Sequence, residues 1–146
     1  MKIYLGTDHR GFESKQRILS FLQQRGHEVI DLGAHEYDPD DDYNDYAIKV
    51  AKSVLSDSGS WGVLYCGSAD GVVIQANRFK GIRAVDPHTP ELAARARTHN
   101  DANVLCLASE FISDETTEQI VDAFLNTDFA GEPRYIRRNQ KLDEDY

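Results

Sequence analysis

Trp61-Gly62-Val63-Leu64-Tyr65-Cys66-Gly67-Ser68-Ala69-Asp70-Gly71 is the stretch on which the fold turns. An apolar run suited to a buried strand ends in a thiol and a glycine-bearing turn, and a helical pattern from Val72 to Phe79 follows. A short apolar strand feeding a helix is the building unit of a parallel sheet covered by helices. The first turn of a helix presents unpaired N–H groups and about half a positive charge, which suits a phosphate or a developing oxyanion. A thiol at that spot is expected to have a lowered pKa and to serve as base or nucleophile. The segment points to an enzyme with an anionic substrate or intermediate, and by itself leaves the reaction open.

Working outward, strand-like and helix-like segments alternate. Lys2 to Thr7 predicts a first strand and Gly11 to Arg25 a helix that turns Ile18, Leu19, Phe21 and Leu22 to a core, with Gly26 as its stop. His27 to Leu32 reads as a second strand, and an acidic loop around Tyr37 to Asp42 as solvated chain. A helix from about Asp45 to Leu55 puts Ala47, Val50, Ala51 and Val54 on one face. Ile82 to Val85, Pro90 to Thr98, Asn103 to Leu107 and Asp114 to Leu125 continue as strand, helix, strand and helix. The expected architecture is α/β, a three-layer α/β/α sandwich on a five-stranded parallel, Rossmann-like sheet, formed by one domain over residues 1–146.

Bulk properties narrow the class. A net charge of −9 argues against a nucleic-acid surface, and no apolar stretch approaches the roughly 20 residues that cross a bilayer. Met1 runs directly into strand-like sequence, so no signal peptide is expected. Cys66 and Cys106 lack zinc or disulfide spacing, which favours a reducing cytoplasm, and Cys106 reads as core. Positive charge collects in Pro133-Arg134-Tyr135-Ile136-Arg137-Arg138, which reads either as an anion site or as a solvated helix face.

In parallel α/β folds, ligands bind beyond the carboxyl ends of the strands. The residues there are Thr7-Asp8-His9-Arg10, Gly33-Ala34, Cys66 to Gly71, Asp86-Pro87-His88 and Ala108-Ser109-Glu110. Gly6 to Gly11 has the wrong spacing for a dinucleotide fingerprint, Gly67 to Gly71 does not make a hydrolase elbow, and the histidines lack metal-ligand spacing. No metal or organic cofactor is expected.

Five collinear segments resemble ribose-5-phosphate isomerase B and the related galactose-6-phosphate isomerase subunits: Gly6 to Phe12, Asp42-Tyr43, Cys66-Gly67-Ser68, Ala76 to Ala84, and His99 to Leu105. The resemblance implies an aldose–ketose isomerase working through an enediolate without a cofactor, as a homodimer or dimer of dimers with shared active sites. It implies Cys66 as the base between C1 and C2, Ser68 as a proton shuttle, and His99 as the group that opens the furanose ring. Backbone N–H groups of Gly67, Ser68, Ala69, Asp70 and Gly71 would form the oxyanion pocket. Asp8, His9, Tyr43 and Asn100 would contact the sugar phosphate, and Arg134 and Arg138 its phosphate, with segment 133–146 set against a partner subunit; Arg10 is unusual there and is a candidate substrate contact of this chain's own.

The chain departs from that family at Ala69, where a glycine is usual, and at Glu110, where an arginine is usual; Asp70 and Asp86 add further acid. A left-handed Ala69 would cost roughly 1–2 kcal/mol. Asp70 is expected to cap the following helix, and Glu110 to pair with Arg134 or Arg138 unless Arg10 supplies the missing charge. These departures suggest a substrate other than ribose 5-phosphate, a hexose 6-phosphate or an unphosphorylated sugar among them. A non-catalytic sugar-phosphate-binding paralogue, one half of a heteromeric enzyme, and a flavodoxin-like nucleotide-binding module are the rival readings.

Overall fold

The computed structural model describes residues 1–146. The strands are β1 (Lys2–Thr7), β2 (Glu28–Asp31), β3 (Trp61–Cys66), β4 (Ala84–Val85) and β5 (Val104–Ala108), all parallel, in the spatial order β2-β1-β3-β5-β4. The helices are α1 (Phe12–Gln24), α2 (Tyr43–Ser56), α3 (Asp70–Ala76), α4 (Pro90–Asn100), α5 (Asp114–Leu125) and α6 (Pro133–Lys141). No helix is long and apolar enough to cross a membrane.

Strand alternation sorts the apolar side chains into two cores. Val63 and Tyr65 of β3, with Leu105 and Leu107 of β5, face Ile18 and Leu22 of α1, Ala93 of α4 and Ile120 and Phe124 of α5. Leu64 and Cys66, with Val104, Cys106 and Ala108, face Val50 and Val54 of α2 and Val72 and Ala76 of α3. Both layers over the sheet are therefore filled, as the continuous apolar strands require, and Cys106 is fully buried core.

Most elements fall within two residues of the expected bounds, α5 coincides with its expected span, and Gly26 adopts φ +83 at the end of α1. Two segments differ for identifiable reasons. The helix after Cys66 runs over Asp70–Ala76 instead of Val72 to Phe79. It stops because the Asn77 side chain leaves the helix path to exchange two hydrogen bonds with the backbone of Ala84, at 2.9 and 2.8 Å. The fourth strand shrinks to Ala84–Val85: Ile82 is spent in the core, and the Arg83 N–H is taken by the Asn103 side chain at 2.8 Å.

Sheet order determines where a cleft opens. The connection leaving β1 packs α1 on one face, and the one leaving β3 packs α3 on the other, so the chain diverges between the carboxyl ends of these adjacent strands. That divergence is the usual ligand crevice of open α/β sheets.

Candidate active site

Asp8 follows β1 and Cys66 ends β3, and the sheet brings them together: Cys66 Sγ donates to Asp8 Oδ2 at 2.9 Å. Both are buried. The other oxygen of Asp8 accepts the backbone N–H groups of Arg10 at 3.0 Å and Gly11 at 3.3 Å, which fixes the carboxylate under the thiol. Burial, then this carboxylate, pushes the Cys66 thiol up to about 12, against the opposing pull of the Gly67 and Ala69 backbone N–H groups. The expectation of a lowered thiol pKa is thus reversed, because desolvation and the Asp8 carboxylate outweigh the two backbone N–H groups.

The turn after Cys66 is tight for identifiable reasons. Ala69 is the left-handed residue, with φ 69 and ψ −13, and its side chain is fully buried. It takes the N-cap position, so Asp70 stands one residue later in the first turn, exposed and making no side-chain cap. The capping role expected of Asp70 is therefore not realised; its backbone N–H instead meets the exposed Ser68 Oγ at 3.4 Å. At Gly71 a β-carbon would lie 2.6 Å from the Tyr43 ring, so only glycine lets that ring close over the start of α3.

Further side chains gather at the mouth. His9 Nδ1 lies 2.6 Å from Asp41 Oδ1, and its backbone N–H bonds the same oxygen at 3.2 Å. The Asp41 side chain is only 7% exposed, so the acidic loop expected to be solvated turns inward at this residue. Asp41 also helps burial raise Tyr46 to about 12. Asp8, His9 and Asp41 bring one nitrogen and two carboxylate oxygens within 4.8 Å of one another, a grouping that histidine spacing alone did not reveal. Glu110 pairs with Arg10 at 2.7 Å, not with Arg134 or Arg138 as expected, because β5 delivers it beside the loop after β1. A cleft of about 610 Å³ runs beside them, lined by His9, Arg10, Glu13, Tyr37, Ser109 and Glu110 among others.

The remaining expected residues lie elsewhere. His99 and Asn100 end α4, where the chain turns into the start of β5, and Asn103 already pairs with Gly62 near the start of β3. Four strand residues, roughly 13 Å of rise, separate that level from Cys66. Tyr135 stacks on His99 with ring centroids 4.4 Å apart, its hydroxyl 3.1 Å from His99 Nε2 and accepting from Arg134 at 3.0 Å. Segment 133–138 is thus not wholly a solvated face: Tyr135 is buried against its own α4, while Arg134 and Arg138 stay exposed. Tyr135 was legible only as the aromatic among the arginines; its partner at position 99 is set by packing.

The chain matches the family model described as Ribose/Galactose Isomerase over residues 3–142. It is 46% identical over 140 residues to the probable ribose-5-phosphate isomerase B of Mycoplasma pneumoniae, spanning 96% of this chain and 91% of that one. The chain belongs to the ribose/galactose isomerase family. Another relative, ribose-5-phosphate isomerase B of Mycobacterium tuberculosis, is 41% identical over 144 residues, covering 99% and 89% of the two chains. Among solved structures, the ribose 5-phosphate isomerase of Thermotoga maritima superposes with a TM-score of 0.94 at 43% identity, covering 99% and 98%. The Mycoplasma genitalium ribose-5-phosphate isomerase B with bound ribulose 5-phosphate gives 0.91 at 40% identity, covering 97% and 93%. Across this family resemblance the sheet, six helices and Cys66 turn described above form one isomerase fold.

Proposed function

We propose that this chain interconverts ribose 5-phosphate and ribulose 5-phosphate through an enediolate, with Cys66 as the base, in a homodimer whose two sites each draw on both subunits. The chain is a sugar-phosphate aldose–ketose isomerase; the assignment of roles and the shared site are the proposal. The observation that carries it is the Cys66–Asp8 contact, 2.9 Å, beside the backbone N–H groups of the Gly67–Gly71 turn.

The chemistry follows from that geometry. The C2 proton of the open-chain aldose passes to a Cys66 thiolate, and the electron pair shifts into the carbonyl. The oxyanion so formed meets the N–H groups that open α3, each such donor being worth about 3–4 kcal/mol in comparable sites. Ser68 moves a proton between the two substrate oxygens, and return of the first proton at C1 completes the isomerisation. A substrate hydroxyl that donates to Asp8 takes over the acceptor now occupied by the thiol.

Thiol ionisation supports the shared site. With its proton held up to about 12, Cys66 of a single chain is overwhelmingly neutral at pH 7. Cations brought over it favour the thiolate. His99, Arg134 and Arg138 lie away from their own Cys66, so a second copy, working in the cytoplasm as a dimer, supplies them. His99 then opens the furanose ring, and Arg134 and Arg138, with His9, hold the phosphate. Glu110 does not argue for a different sugar, since Arg10 neutralises it at 2.7 Å.

Exchange of the C2 proton of ribose 5-phosphate for deuterium, followed by NMR in D₂O, tests the proposal. Exchange in the wild type that disappears in Cys66→Ala is the expected result. Exchange that persists in a folded Cys66→Ala protein removes Cys66 as the base.

A further inference from the structure

The two basic side chains of the cleft, His9 and Arg10, are held in different ways. Asp41, which holds His9, is a buried carboxylate with a 7% exposed side chain. Arg10 is paired with an exposed partner, the two side chains being 60% and 45% accessible. We infer that Arg10 joins His9, Arg134 and Arg138 in holding the anionic end of the substrate and that Glu110 is its internal competitor, so that phosphate binds by displacing Glu110 from Arg10. This rests on the sugar-phosphate reading above and names the pair that selects the anion.

Position comes first. The backbone of Arg10 is fixed to the reaction centre, since its N–H donates to Asp8 Oδ1 at 3.0 Å and its carbonyl accepts from Ser109 Oγ at 3.0 Å. Only its side chain is free to reorient. Glu110 is anchored just as firmly: its N–H donates to the Gly67 carbonyl at 3.1 Å. Its carboxylate lies along Gly67, where a β-carbon would stand 3.0 Å from Oε1. The ion pair therefore bridges the loops after β1 and β5 beside the first residue of the Cys66 turn.

Chemistry then decides what opens it. A guanidinium makes forked bonds to carboxylate and to phosphate with similar geometry. An exposed ion pair contributes little net stability, so it exchanges readily. A phosphate dianion attracts Arg10 more strongly than the Glu110 monoanion does, whereas an unphosphorylated sugar offers no replacement and leaves the bridge shut. Asp8, Glu13 and Glu110 also surround Arg10 with negative charge, so a released Glu110 carboxylate continues to oppose a second anion.

The test combines Arg10→Gln, Glu110→Gln and the double variant, with calorimetric titration of inorganic phosphate and steady-state kinetics on ribose 5-phosphate. Both side chains are exposed, and melting curves verify that each variant is folded. Glu110→Gln is expected to tighten phosphate and lower KM by about three- to tenfold, the gain falling on KM and not on kcat. Arg10→Gln is expected to weaken both by about tenfold or more, and in its background Glu110→Gln changes phosphate affinity by less than about twofold. Phosphate affinity indifferent to Arg10, or weakened by Glu110→Gln, overturns the inference. Phosphate binding that follows Arg10 in a protein that does not turn over ribose 5-phosphate sinks the isomerase reading and leaves this one standing. Turnover indifferent to both residues does the reverse.

Discussion

The two edges of the sheet carry different chemistry. The carboxyl edge holds a thiol, a buried carboxylate and a turn of backbone donors: Cys66, Asp8 and Gly67 to Gly71. The amino edge holds an imidazole and arginines: His99 stacked on Tyr135, with Arg134 bonded to the same hydroxyl. Within one chain neither set reaches the other. The first has a thiol whose proton burial and Asp8 hold tightly; the second has positive charge that would loosen it. In the proposed shared-site dimer the catalytic unit is larger than the folding unit, and a C2-symmetric pairing of copies would join unlike edges twice over.

Mixing subunits is the sharpest way to break that comparison. Cys66→Ala and His99→Ala homodimers are each expected to lose about a hundredfold or more of their turnover of ribose 5-phosphate. A mixture allowed to exchange subunits should recover about a quarter of wild-type activity, since half the dimers then contain one intact site. No recovery after exchange is verified by mass would mean that Cys66 of one subunit and His99 of another do not share a site.

Tyr135 offers a finer cut, between ring opening and proton transfer. Ribulose 5-phosphate cannot close a furanose ring, because its terminal oxygen carries the phosphate. Tyr135→Phe removes the hydroxyl 3.1 Å from His99 Nε2, and should slow turnover of ribose 5-phosphate about tenfold. Initial rates from ribulose 5-phosphate should change far less. Equal losses in both directions would assign Tyr135 to packing alone.

A third prediction concerns the carboxyl edge only. The Cys66 thiol is held above its ordinary value of 9.0, up to about 12, so the folded state retains a proton that the unfolded state gives up. Its contribution to stability is complete below pH 9 and is lost as pH rises towards 12, at up to about 1.4 kcal/mol per pH unit. Denaturant melts at increasing alkaline pH should therefore show a steeper decline for wild type than for Cys66→Ala. Parallel declines would mean that the thiol proton is not held by the fold.

The smallest effect belongs to Ala69. Replacing it by glycine relieves a left-handed backbone worth roughly 1–2 kcal/mol but removes a fully buried methyl worth about 0.8 kcal/mol. The two nearly offset, and thermal melts should place Ala69→Gly within about 1 kcal/mol of wild type. A loss well beyond that would mean that the Ala69 methyl sets the shape of the turn.

The sequence by itself determined the elements and the chemical inventory. Strands and helices follow from local periodicity, as α5 with its Ser113 cap and its face of Ile120, Val121 and Phe124 makes plain. The thiol before a glycine-bearing turn marked the candidate site for the same local reason. Tertiary structure alone decided who meets whom. Packing buried Cys66 and set Asp8 under it from 58 residues away in sequence, and burial first, then that carboxylate, raised the thiol pKa that the sequence predicts to be lowered. Packing also joined Arg10 to Glu110 across 100 residues, drew Asp41 out of an acidic loop onto His9, and sent His99 to the far edge. A charge run or a lone histidine carries no record of its neighbour, because ion pairing, burial and the resulting proton affinity depend on distances that only the packed chain defines.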